Sequence, residues 1–155
     1  ALVTLVGTNV GAGHLARAER IAWIGAGLGA ALTGGVGLGA ALAPALWLGL
    51  FTTDAEALAV GATYLRIVGP TYGFFGAGLA LYFASQGAGR LFWPLLAGGL
   101  RFVVAAGGGW LVSRALGVGL PGLFGAIAAA LVVLGATVML AVKAGAWHRG
   151  PGRTS

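Results

Sequence analysis

The sequence predicts an all-α, polytopic transmembrane helix bundle, with four full spans and a partial span at its N-terminus. Three observations carry that prediction. Charge is scarce: 59% of the residues are hydrophobic and 8% charged, with mean hydropathy +0.97, whereas a soluble domain carries about 25% charged residues. So few charges cannot cover a water-facing surface, and most of this one must face lipid. Glycine supplies 31 of 155 residues, far above the usual ~7%, without the Gly-X-Y period of collagen. Glycines spread through apolar runs suit membrane helices that pack backbone against backbone. Finally, the uncharged stretch 21–51 exceeds the ~20 residues that cross a hydrocarbon core.

The elements follow in order. Residues 1–13 read as the end of a truncated membrane helix and its turn. A helix over residues 1–10 would reach about 15 Å, half of a ~30 Å core, so the chain reads as a fragment cut at its N-terminus. Residues 14–20, with Arg17, Glu19 and Arg20, read as a cytoplasmic loop. The first full span occupies 21–51, with Pro44 bending it near its far end. Thr53-Asp54-Ala55-Glu56 fits a capping box in which Thr53 caps and Glu56 reaches back, opening a second span over 54–86 that Pro70 kinks. A third span runs over 91–112. The fourth, 121–142, starts on Pro121, which suits a first helical turn. The tail, 143–155, is polar and broken by Gly and Pro, with Trp147 as an interface anchor.

Loop charges orient the bundle. Arg17, Arg20, Arg90, Lys143, Arg149 and Arg153 fall on one side, against Arg114 with Asp54 and Glu56 on the other. That asymmetry places the GAGHLARAER stretch and the C-terminus in the cytoplasm, with the chain in the cell inner (plasma) membrane. The net charge of +6 comes from cations scattered between apolar runs, so no basic stripe exists to follow a nucleic acid backbone. GTNVGAG lacks the Lys-Ser/Thr of a phosphate loop and no strand precedes it; it reads as a tight turn. Without cysteine there are no disulfides or thiolate metal sites. His14 and His148 lie far apart in solvated segments, and no His/Asp/Glu cluster has metal-ligand spacing. No serine sits in a nucleophile elbow. The chain reads as a non-enzyme with no catalytic residues, metal or cofactor.

Four residues remain as candidates for a substrate cavity: Arg66, Tyr72, Gln86 and Arg101. An arginine at mid-span costs about 2.5–3.5 kcal/mol even on a lenient insertion scale, and no acid of this chain lies at the depth of Arg66 or Arg101. Each therefore either snorkels and bonds to packed neighbours or lines a polar translocation cavity. On a helical wheel Arg66 shares a side with Gly69, Pro70, Gly73, Ala77, Ala80 and Ala84; small residues admit a neighbouring helix, so Arg66 should point into the bundle. The opposite side, with Tyr64, Val68, Tyr72, Phe75, Leu79, Tyr82 and Gln86, should face lipid, although a buried Tyr72 hydroxyl or Gln86 amide would need a partner.

Four segments taken in order carry a family resemblance. VGTNVGAGHLARA (6–18), LGLFTTDAEALAVGATYLRIVGP (48–70), FASQGAGRLFWPLLAGGLR (83–101) and LGVGLPGLFGA (116–126) resemble successive motifs of multidrug and toxic compound extrusion (MATE) transporters. The match implies the C-terminal portion of such a protein, from the end of span eight to span twelve. It implies two six-helix bundles that rock about a central cavity, exporting drugs or organic cations in exchange for Na⁺ or H⁺. The partners so implied are membrane lipid, the missing N-terminal helix bundle of the same protein and a small-molecule substrate. Some branches of the family carry a coupling acid in the tenth span; here TYGFFGAGLALYF (71–83) has none, with Phe75 near that place, so the acid would lie in the absent half. Two alternatives stay open: a lipid-linked oligosaccharide flippase of the same superfamily, whose pyrophosphate would suit Arg66 and Arg101, and a small non-transporting membrane protein assembled through its glycine faces.

Overall fold

The computed structural model describes residues 1–148, with side chains at all of these but 115 and 116. Seven helices form it: α1 (Leu2–Gly11), α2 (Leu15–Leu42), α3 (Pro44–Leu48), α4 (Ala55–Val68), α5 (Tyr72–Gly87), α6 (Phe92–Leu111) and α7 (Gly119–Lys143). A 3₁₀ turn, Gly69–Thr71, joins α4 to α5, and a π turn, Val112–Leu116, extends α6. Four stretches are long and apolar enough to cross a membrane: Leu15–Leu42, Ala55–Gly87, Phe92–Arg114 and Gly119–Lys143. The protein is an all-α, multi-pass membrane bundle.

Several boundaries depart from expectation, each for a local reason. Residues 15–20 are not loop but the first turns of α2, because Leu, Ala, Arg and Glu are strong helix formers and long cations can snorkel from a helix end. Only the turn through Gly13, at φ +78°, separates α1 from α2. The span expected over 21–51 stops at Leu42: Ala43, at φ −128° and ψ 59°, is held out of the helical region by the ring of Pro44. The chain restarts as α3 with that proline in its first turn. Asp54, not Thr53, caps α4. Its Oδ2 accepts the backbone N–H of Ala57 at 2.9 Å, and its own N–H donates to Thr52 Oγ1 at 3.1 Å. The span over 54–86 is two helices, broken where Pro70 lacks an N–H, and it ends one residue later at Gly87. α6 starts and stops one residue inside the expected 91–112, and α7 begins at Gly119, leaving Pro121 within the first turn.

The tail departs furthest. Trp147 is not an interface anchor: it is 2% exposed, and its Nε1–H donates to the buried Ser85 hydroxyl at 3.2 Å. His148 is exposed, as expected of a solvated residue, and its Nδ1 lies 3.3 Å from Glu19 Oε1. Arg149 and Arg153 lie outside the described residues. The α1–α2 turn, the α5–α6 turn and the end of α7 meet at one end of the bundle, the basic end, which carries Arg17, Arg20, Arg90 and Lys143.

α5 is the central rod, packed by α1, α2 and α7, whereas α6 packs chiefly on α7. Glycine makes these approaches possible. A Cβ on Gly37 would overlap the carbonyl oxygen of Gly69, one on Gly29 would lie 2.8 Å from the carbonyl oxygen of Gly76, and one on Gly78 would lie 2.7 Å from the Cα of Gly135. Lipid gives helices no hydrophobic reason to associate, so close backbone packing supplies much of what holds them. Two buried clusters result. One joins Val6, Ala18, Ala22, Leu81, Ala84, Val138, Val142 and Trp147 toward the basic end; the other joins Val68, Phe124, Ala128 and Leu131.

Candidate functional site

Beside the second cluster, five helices line a half-open cavity of about 450 Å³, a size that takes a drug-like molecule. Its walls are Leu32, Thr33 and Val36 of α2, Tyr64 of α4, Tyr72 and Phe75 of α5, Arg101 of α6, and Ile127 and Leu131 of α7. The cavity lies in the middle of the spans: Arg101 is at the midpoint of α6, and Tyr72 follows the break in the Ala55–Gly87 span.

Local chemistry positions the polar groups. The 3₁₀ turn is closed by Thr71, whose Oγ1 donates to the carbonyl of Val68 at 2.7 Å, and α5 starts directly after it. Thr33 then ties α2 to that start: its hydroxyl reaches the carbonyl of Tyr72 at 2.7 Å and that of Gly29 at 2.8 Å, sharing one proton between them. Gly76 makes the tie possible, because a Cβ there would overlap Thr33 Oγ1. Across the cavity the ring of Tyr64 is held edge-on to Phe124, with centroids 5.2 Å apart and planes at 86°. The Tyr64 and Tyr72 hydroxyls are thereby brought to 3.4 Å.

Of the four residues expected to line a cavity, the structure brings Tyr72 and Arg101 together and leaves two elsewhere. Arg66 is exposed on α4. It does not point into the bundle, because α4 packs through Gly61, Tyr64 and Val68 against Leu48, Phe124 and the second cluster. Arg66 is two positions from both Tyr64 and Val68, about 200° around the helix. The assignment of faces thus inverts in α4, whereas in α5 the small residues Gly76, Ala77 and Ala84 are buried. Gln86 lies 14 residues beyond Tyr72, about 21 Å along the axis, near the basic end and away from the cavity walls.

Sequence reasoning missed Tyr64 and Thr33. Tyr64 lies on the bulky face expected to meet lipid and, near the end of its span, suits an interfacial belt. Thr33 did offer a signal, as the one hydroxyl or amide side chain in the uncharged run 21–51. Among the described residues no three His, Asp or Glu side chains gather to hold a metal ion, and no carboxylate borders the cavity. The arrangement is that of a binding chamber: aromatic and aliphatic walls, two hydroxyls and one guanidinium.

No curated protein and no solved structure matches the chain. The family model MatE matches residues 1–111, a stretch that takes in α1 to α6 and every polar group of the cavity. Matched over that length, the chain belongs to the MatE family of multidrug and toxic compound extrusion transporters.

Proposed function

We propose that this chain forms part of one bundle of a secondary active transporter that exports drugs and organic cations, by alternating access, in exchange for Na⁺ or H⁺. The observation that carries the reading is the mid-span chamber walled by Tyr64, Tyr72 and Phe75. Aromatic faces receive the flat bodies of such compounds by stacking. A second helix bundle of the same protein supplies the remaining walls. It also supplies the coupling carboxylate, since Phe75 stands at the tenth-span place where some branches carry an acid. The basic end faces the cytoplasm of a cell whose plasma membrane holds the protein.

The test is accumulation. With the complete gene expressed in an efflux-deficient strain, cells should retain less ethidium or norfloxacin than vector controls. Unchanged retention with well-expressed protein would count against drug export. A second reading, flipping of a lipid-linked oligosaccharide, is favoured by one observation, the Arg101 guanidinium on the chamber wall, which suits a pyrophosphate. Measured translocation of such a lipid in reconstituted vesicles would select it.

A further inference from the structure

We propose that the chamber selects for ligands bearing an oxyanion, a carboxylate on an aromatic body in the first instance, with Arg101 as the residue that binds it. The inference rests on the export reading above and names the substrate class within it.

Arg101 stands at the midpoint of a span, where an unpartnered guanidinium is expensive. Among the described residues it makes no hydrogen bond or ion pair, and Glu19, Asp54 and Glu56 all lie at helix ends. A guanidinium offers five N–H donors in a planar fork that fits a carboxylate or phosphate with two parallel bonds. Snorkelling satisfies such a group by aiming it at the membrane surface; Arg101, although exposed, lies at mid-span and lines a half-open pocket with polar companions.

The tyrosine pair adds the second half of the recognition. Two hydroxyls 3.4 Å apart can satisfy one of their two protons on each other. The other O–H is left to donate into the chamber, and Thr33 has already spent its proton on two carbonyls. Every free polar hydrogen on the wall therefore seeks an acceptor. With Phe75, Ile127 and Leu131 completing the wall, the complementary molecule has a flat apolar body and an anionic edge. A zwitterionic drug that carries a carboxylate meets this description, and its ammonium group would be left to the other bundle.

The test compares an acid with its ester on the complete transporter in phosphatidylcholine nanodiscs, reading the fluorescence of norfloxacin and of its methyl ester on titration. The wild-type protein should bind the acid at least tenfold more tightly than the ester, the smallest preference expected for a charge-assisted hydrogen bond. Arg101→Gln should bring the two within about twofold, and Arg101→Lys, which keeps charge without the fork, should fall between. Equal binding of acid and ester by the wild-type protein overturns the proposal whether or not any variant folds. So does a preference that survives Arg101→Gln. If phosphatidylglycerol nanodiscs weaken acid binding by the wild-type protein but not by Arg101→Gln, the oxyanion is a lipid phosphate rather than a free ligand. Binding that shows the preference while cells still retain drug would refute export and leave this inference standing. Export that persists with the preference absent would do the reverse.

Discussion

At the level of single residues, the chamber depends on a side chain that need not touch substrate. Thr33 fixes the start of α5, and with it Tyr72, through one proton shared between the carbonyls of Tyr72 and Gly29. Thr33→Val keeps the shape and removes the donor. Hydrogen bonds between membrane helices average about 0.6 kcal/mol, with a maximum near 1.7, so the variant should lose about 0.5–1.7 kcal/mol of stability in a detergent unfolding titration. The same variant should weaken norfloxacin binding, since Tyr72 loses its anchor; Thr33→Ser should retain both properties. The residue scale is also where the sequence was least legible. Arg101 and Tyr72 stood out because a charge and a hydroxyl inside a span demand partners, a rule that needs no structure. Tyr64 did not, because deciding between lipid and chamber requires knowing which face of α4 its neighbours occupy. Arg66 was misplaced for the same reason.

Among the elements, the pairing of α2 with α5 governs the rest, since α5 carries Tyr72 and Phe75 and is packed by α1, α2 and α7. Two glycines in one helix separate the effects of packing and propensity. Gly37 is buried, and a Cβ there would overlap the carbonyl oxygen of Gly69; Gly35 is exposed with nothing within 4 Å of an added Cβ. Gly37→Ala forces α2 and the α4–α5 junction apart and should cost about 1–3 kcal/mol, the usual effect of overpacking. Gly35→Ala gains helix propensity alone and should stabilise by about 0.5–1 kcal/mol. Opposite shifts of the two variants in one unfolding titration would establish that the helices meet as described; equal shifts would not. The spans themselves were legible, because a run of apolar residues and a proline report directly on hydropathy and on the backbone. Their ends were less so. Charged Arg17 and Arg20 looked like loop, although arginine is at home in a helix, and Thr53 looked like the cap when Asp54 one position on makes the bond.

Over the whole molecule, the residues that follow α7, 144–148, close on α1 and α2. After α7 the backbone turns at Gly145, whose φ of +76° suits glycine far better than a residue with a Cβ. That turn drives Trp147 back into the cluster formed with Val6, Ala18, Leu81, Ala84 and Val142, so the residues after α7 meet α1, α2 and α5 together. The sequence hid this, because a tryptophan just past an apolar helix matches an interface anchor equally well, and only the turn decides between them. Of the two polar contacts here, the pair between His148 and Glu19 is 54% and 24% exposed and should matter little, as surface pairs do. The indole matters more. Trp147→Ala removes a fully buried ring and should cost about 3–5 kcal/mol, while Ser85→Ala leaves the indole N–H without an acceptor and should cost about 1–3 kcal/mol. In the double variant the serine change should cost much less than it does alone, because no indole remains to be left unpaired; contacting residues couple in this way. Thermal unfolding of the four proteins in detergent measures that coupling. Strictly additive losses would mean that Trp147 lies in the interface belt, free of Ser85, and that the turn after α7 does not clasp the bundle.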